Sequence, residues 1–214
     1  MSAHASMGRG GLAERGFSLI VVLLLLVIVT VLGIGAAHLS LVNERSARND
    51  RDSEIALQAA EAALMDAELD VLGPNQAASA RLCLFNNKDV APFVAGCGGA
   101  GSSLGLCAPN EPGTTPAWMQ ADLSPTSKTA VEYGTFTGQK YVTGQGATPA
   151  ALPRYIVEVI RNNGGWQAMR LESASAGNAT NIFRVTAIGF GVEKETQVVL
   201  QTNLYKPTVS AGCP

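Results

Sequence analysis

Histidine is almost missing from this chain: the two present are His4, close to the start, and His38, at the end of an apolar run. No Ser–His or Cys–His pair can therefore be assembled beyond residue 74, and the nucleophile-plus-base arrangement of hydrolases and cysteine enzymes is not expected there. Charge is scarce as well, at 15% of residues with a formal net charge of −2. That balance gives no electrostatic reason to expect nucleic acid as a partner. No CxxC spacing occurs and no histidine lies near a cysteine in sequence, so neither zinc nor any other cofactor is expected. Gly96-Cys97-Gly98-Gly99-Ala100-Gly101 matches GxGxxG by letter. It lacks a leading apolar strand and a following helix, and reads as a flexible loop. Asn178-Ala179-Thr180 fits a glycosylation sequon and likewise reads as plain loop. The chain is not an enzyme on this reading. Hydrophobic residues still make up 47%, beside 23 glycines and 10 prolines, which describes a loop-rich exported domain and not a disordered one.

What is present is concentrated at one end. From Phe17 to Ala37 runs FSLIVVLLLLVIVTVLGIGAA, 21 residues without a charged side chain. At about 1.5 Å of rise per residue, such a helix spans roughly the 30 Å core of a bilayer. A secretory signal has a shorter apolar stretch and a small-residue cleavage site after it, and neither applies here. Arg9 and Arg15 precede the span, whereas Arg45, Arg48 and Arg51 follow it mixed with Glu44, Asp50, Asp52 and Glu54. The asymmetry places the N-terminus in the cytoplasm. Membrane anchorage is expected.

The junction reads Glu14-Arg15-Gly16-Phe17-Ser18-Leu19-Ile20. It resembles the type IV prepilin family, whose members carry a polar leader ending in Gly, then Phe, then an apolar helix kept in the mature protein. The resemblance implies cleavage by a prepilin peptidase between Gly16 and Phe17, and N-methylation of Phe17. Met1 and Met7 are both candidate starts. From Val42 to Leu72 there is no Gly or Pro, so the helix continues until Gly73-Pro74 stops it. Ile55, Ala59, Ala62, Leu69 and Leu72 recur near i+3/i+4 and are expected to face a sheet, with Asp66 and Glu68 outside or at the edge.

Arg48-Asn49-Asp50-Arg51-Asp52 followed by Gln58-Ala59-Ala60-Glu61-Ala62-Ala63-Leu64 resembles the N-terminal signature of PilX-type minor pilins. Gly105-Leu106-Cys107 with Trp118, Pro153 to Glu158, Arg184 to Ala187 and Val198 to Gln201 resemble their C-terminal patterns. The resemblance thins between Pro74 and Ser103. It implies an α+β type IV pilin fold: a long N-terminal helix, transmembrane in its first half, packed on an antiparallel β-sheet head. The expected divisions are a leader at 1–16, a transmembrane half-helix at 17–41, a periplasmic half-helix at 42–73 and a head at 74–214. Implied partners are other minor pilins and the major pilin through the N-terminal helix, the prepilin peptidase and the inner-membrane assembly platform. The location implied is the inner membrane, single pass with a periplasmic head, and afterwards the pilus.

Val21 departs from most pilins, which carry Glu at the fifth residue after the cut. That carboxylate is thought to pair with the free amine of a neighbouring subunit, because an unpaired charge in the apolar bundle is costly. A subunit without the acid cannot bridge to one ahead of it, and needs no bridge if it enters first. The implied function is to prime and occupy the pilus tip, with roles in twitching and adhesion. The same absence marks the K-type pseudopilins of type II secretion, an alternative that needs a large additional helical domain. A single-span periplasmic enzyme or receptor is an alternative of another class; it requires a convergent polar site and no cut at Gly16.

In the head, Tyr155 to Ile160, Trp166 to Leu171, Phe183 to Ile188 and Thr196 to Tyr205 read as strands, with Asn162 to Gly165 as a turn. Short connections make them antiparallel. In the last, Val198, Leu200 and Leu204 share one face, and Gln197, Gln201 and Asn203 the other. Cys83, Cys97, Cys107 and Cys213 form an even set beyond the span, so two disulfides are expected in an oxidising compartment. Three connectivities are open, with Cys83–Cys97 and Cys107–Cys213 preferred.

Overall fold

The computed structural model describes residues 17–73, 79–85, 90–109, 114–141, 147–162 and 180–206. The chain divides into two compact units, Met1–Arg48 and Asn49–Pro214. Helix α1, Phe17–Leu72, contributes to both. In the first unit every described side chain is exposed, including the run of Leu, Val and Ile from Leu19 onward. Such a helix is long and apolar enough to cross a membrane. Its polar groups look after themselves: the Thr30 hydroxyl donates to the Val27 carbonyl at 2.8 Å, and Arg48 pairs with Glu44 one turn earlier at 2.6 Å.

The second unit is built on a mixed sheet. Its main strands are β3 (Arg154–Asn162), β4 (Thr180–Phe190) and β5 (Gln197–Tyr205), which pair antiparallel in that order. Two short strands lie along the other edge of β3: β1 (Leu106–Cys107), which runs parallel to it, and β2 (Val131–Glu132), which runs antiparallel. The parallel pair departs from an all-antiparallel sheet. The chain between them, residues 108–153, is a long crossover, which a parallel pair needs and a hairpin cannot supply. The strand expected at Trp166 to Leu171, and Asn163 to Gly165 of the expected turn, lie outside the described residues. β5 alternates as the sequence suggests, with Val198, Leu200, Thr202 and Leu204 half-buried and their neighbours exposed.

One face of the sheet carries the main core. Tyr155, Val157 and Val159 of β3 and Phe183, Val185 and Ala187 of β4 meet Ala63, Ala67 and Val71 of α1. Phe85 stands edge-on to Phe183 at 5.5 Å between centroids. The buried side of α1 is Ala56, Ala59, Ala60, Ala63, Ala67 and Val71, a face rotated from the expected one. Of the residues expected there only Ala59 is buried; Ile55, Ala62 and Leu69 are half-buried and Leu72 is exposed. The reason is steric. Alanines allow β4 to approach the helix so closely that a Cβ on Gly189 would overlap the carbonyl oxygen of Ala56 and the amide nitrogen of Ala60.

The opposite face of β3 is covered by a second cluster of Cys97, Cys107, Ala117, Ala130 and Ile156, with Trp118 from the short helix α3 (Ala117–Gln120) packed against it. Arg154 pins the segment over this cluster. Its guanidinium donates to the carbonyls of Ser127 at 3.0 Å and Pro125 at 2.9 Å and pairs with Glu132 at 2.6 Å.

Candidate functional site

Two levels of α1 are distinctive, its start and its end. At the first, Gly16 lies outside the described residues, and Phe17 is the first residue of the helix. Val21 sits in the second turn of α1 with 40% of its surface exposed, among exposed Leu19, Ile20 and Val22. The described helix therefore offers a lateral apolar surface with no acid at its start. His38 is exposed on the same helix.

At the second level, α1 is fastened to the sheet by polar groups that sequence reasoning missed. Asp70 is fully buried, and Arg81 of α2 (Ser79–Leu84) has 1% of its side chain exposed. The Arg81 Nε donates to both Asp70 oxygens, at 2.9 and 2.8 Å, and Nη2 lies 2.7 Å from Oδ2. Nη1 donates to the carbonyls of Ser102 and, at 3.0 Å, Leu104. The guanidinium also stacks 3.6 Å above the Phe136 ring. The phenol of Tyr155 donates to Asp70 at 3.0 Å. Burial, then the neighbouring Asp70 charge, pushes that phenol well above its ordinary range. At the end of α1, the Lys206 ammonium donates to the Val71 carbonyl at 2.9 Å and the Leu82 carbonyl at 3.0 Å. A cation there satisfies helix carbonyls left without partners and suits the negative end of the dipole. Burial lowers the pKa of this amine, with Asp70 acting against the shift.

Asp66 was expected outside or at the edge, and is buried instead with 1% exposure. It is held there by the Thr137 hydroxyl and by the Gly134 amide at 2.8 Å. Loss of water raises its pKa, and those two hydrogen bonds oppose the rise. Glu68 is exposed as expected. A helical reading from Ala56 instead of Ile55 would have found the pattern, since residues 56, 59, 63, 66 and 70 follow one line and carry two acids among alanines. Further up the helix, Asp52 accepts from the amides of Val192 and Glu193 in the β4–β5 turn. A hydrogen bond from the Thr196 side chain, first, and those amides hold its carboxyl below the usual range.

Cys97 and Cys107 are bonded to each other, which corrects the preferred Cys83–Cys97 and Cys107–Cys213 pairing. The isolated bridge of Val94 to Cys107 and the sharp turn at Gly96 bring the two cysteines together. Cys83 is also disulfide-bonded, to a partner outside the described residues. The Gly96–Gly101 stretch is correspondingly not a flexible loop. It consists of two short 3₁₀ turns joined by a bridge between Gly98 and Leu104, and a Cβ on Gly99 would overlap the Ser103 backbone.

Two family models match. PilX N-terminal covers residues 15–64, the junction and the helix as far as the alanine face. Type IV pilus assembly protein PilX C-term covers residues 103–206, from β1 to the lysine that caps α1. No curated protein and no solved structure matches the chain. The two models together span more than two thirds of the sequence and meet the fold at its two defining parts, the apolar helix and the sheet that grips it. The chain belongs to the PilX family of type IV pilus assembly proteins and is a minor pilin, a structural component of the pilus.

Proposed function

We propose that this subunit primes assembly of a type IV pilus and remains at its tip, supporting twitching motility and adhesion. The observation that carries the reading is Val21. Cleavage between Gly16 and Phe17 by a prepilin peptidase makes Val21 the fifth residue of the mature chain, where an acid would otherwise meet the amine of a subunit ahead. A first subunit has none ahead. Residues 1–16 then form the leader, 17–41 the membrane half of the helix, 42–73 its periplasmic half and 74–214 the head. Before assembly the protein sits in the inner membrane beside the assembly platform. Afterwards the exposed apolar run from Leu19 packs with other minor pilins and the major pilin. The head disulfides suit a periplasmic, oxidising site. The K-type pseudopilin reading is the weaker one, since the helices described after α1 have six and four residues.

The test is Val21→Glu in a piliated strain, with mass spectrometry reading Phe17 as the mature N-terminus. An acid in the apolar span costs roughly 2.5–3.5 kcal/mol at a helix centre and less near an end. Pilus number should fall or stay level, and labelled protein should stay at pilus ends. Increased incorporation along the shaft with normal piliation would end the tip assignment while leaving the family intact.

A further inference from the structure

Two carboxylates are buried one turn apart on α1. Asp66 and Asp70 lie on the same side of the helix at i,i+4 spacing, where like charges repel. The cations near them are unequally divided. Arg81 gives Nε to both Asp70 oxygens, and its Nη1 goes to the carbonyls of Ser102 and Leu104. Lys206 is held at the carbonyls of Val71 and Leu82. Asp66 has no ion-pair partner among the described residues. Its oxygens face the Gly134 amide and the Thr137 hydroxyl, both neutral. The remaining titratable groups packed around this end of α1 are three phenols. Tyr133 follows β2 and Tyr155 belongs to β3, both kept neutral by burial, and Tyr141 stands edge-on to Tyr133 at 5.4 Å.

We propose that Asp66 is a proton-uptake site, and that a proton taken up there tightens the hold of α1 on the turn at residues 133–137. The two acids differ in what a proton displaces. At Asp70, Arg81 donates to both oxygens and the Tyr155 phenol to one of them, so a proton would break a buried ion pair. At Asp66 the partner can reverse. The Thr137 hydroxyl accepts from the Gln139 amide at 3.3 Å, which keeps its oxygen in place, and a hydroxyl serves as donor or acceptor. A proton on Oδ1 of Asp66 is therefore donated to Thr137, while Oδ2 goes on accepting from Gly134 at 2.8 Å. The turn presents both groups together because it is closed on itself, the Gly138 amide donating to the Gly134 carbonyl at 2.9 Å. Neither contact with the turn is lost, and the repulsion between two buried carboxylates disappears. Burial already makes Asp66 harder to charge in the fold. Such a group lowers stability above its folded pKa and ceases to do so as pH falls through it. The head therefore firms on mild acidification.

The test is urea unfolding of the full chain in detergent at about pH 7.5 and about pH 4.5, both above the ordinary range of aspartate. The natural protein is compared with Asp66→Asn, which offers Gly134 an acceptor and Thr137 a donor without charge. The variant's midpoint should lie above the natural one at the higher pH, and the gap should narrow at the lower. Thr137→Val removes a hydroxyl that favours the charged form, so its gain in stability should begin at a higher pH than in the natural protein. In the natural protein, protection of the Gly134 amide against hydrogen exchange, read by NMR, should persist at the lower pH. A variant Asp66→Asn that fails to fold, or whose midpoint lies below the natural one at both pH values, overturns the proposal. So does a gap indifferent to pH, an unchanged onset in Thr137→Val, or loss of Gly134 protection on acidification.

Discussion

Replacing Asp70 by Ala would take the carboxylate away from Arg81 and from the phenol of Tyr155 in a single step. Arg81 is 1% exposed, so water cannot take over from the lost partner without opening the core. Its remaining acceptors are the carbonyls of Ser102 and Leu104, which carry no full negative charge. Removing one member of a buried ion pair costs about 3–5 kcal/mol. The loss of the Tyr155 acceptor adds a desolvated hydroxyl, typically about 1–3 kcal/mol, although the two effects share one group and do not sum. Against a typical domain stability of about 5–15 kcal/mol, the expected loss of about 3–5 kcal/mol leaves the head marginal. The measurement is urea unfolding of the full chain in detergent, followed by near-ultraviolet circular dichroism of the head aromatics. The control is Asp70→Leu with Arg81→Met, which removes both members of the ion pair and leaves no buried guanidinium without its carboxylate. It should lose clearly less than Asp70→Ala, since such apolar replacements are often neutral. A loss below about 1 kcal/mol for Asp70→Ala, with an unchanged native spectrum, would refute the view that this pair fastens helix to head.

Three further outcomes are expected. The Tyr155 phenol, held neutral in the fold, contributes stability that is fully present below its ordinary value of 10.0 and lost as pH rises past it; between pH 8 and 10.5, with both values chosen to straddle about 10, the urea midpoint should drop further in the natural protein than in Tyr155→Phe, and equal drops would exclude the linkage. Gly189→Ala should destabilise by about 1–3 kcal/mol through overpacking against the α1 backbone, whereas Gly191→Ala, whose nearest contacts are atoms of the Asp52 side chain, should cost less in the same unfolding assay. Non-reducing peptide mapping should yield a Cys97–Cys107 peptide and, from the two cysteines that remain in the sequence, a Cys83–Cys213 peptide; recovery of alkylated thiols would count against an oxidised head.

The long apolar run, the helix stop at Gly73 and the three long strands were legible because each depends on local pattern: hydropathy, a breaker, and alternation. Family membership was legible too, since the motifs at residues 48–64 and 153–201 fall inside the matched regions. The helix face was misread because larger apolar residues were taken as the buried side. In fact the alanines are, since the backbone of β4 at Gly189 leaves room for nothing bigger. The Asp70 cluster could not be read because its members are 11 and 85 residues apart, and nothing in a single sequence pairs an acid with an arginine across such gaps. Cysteine pairing was equally out of reach: an even set of four permits three arrangements, and the choice is made by the bridge that lays Val94 against Cys107.

Lys206 closes the end of α1 from 135 residues further along the chain. The helix is made before its cap. Everything between Val71 and Lys206 must be synthesised before the last turn of the helix acquires that partner. Contacts of such long sequence separation form slowly, because loop-closure entropy is lost before they repay it. The second half of α1 is therefore made well before its end can be closed, and a chain truncated within β5 lacks the final clasp. Synthesis as far as Lys206 thereby becomes a condition for a finished head, and the last turn of the helix stays open until then.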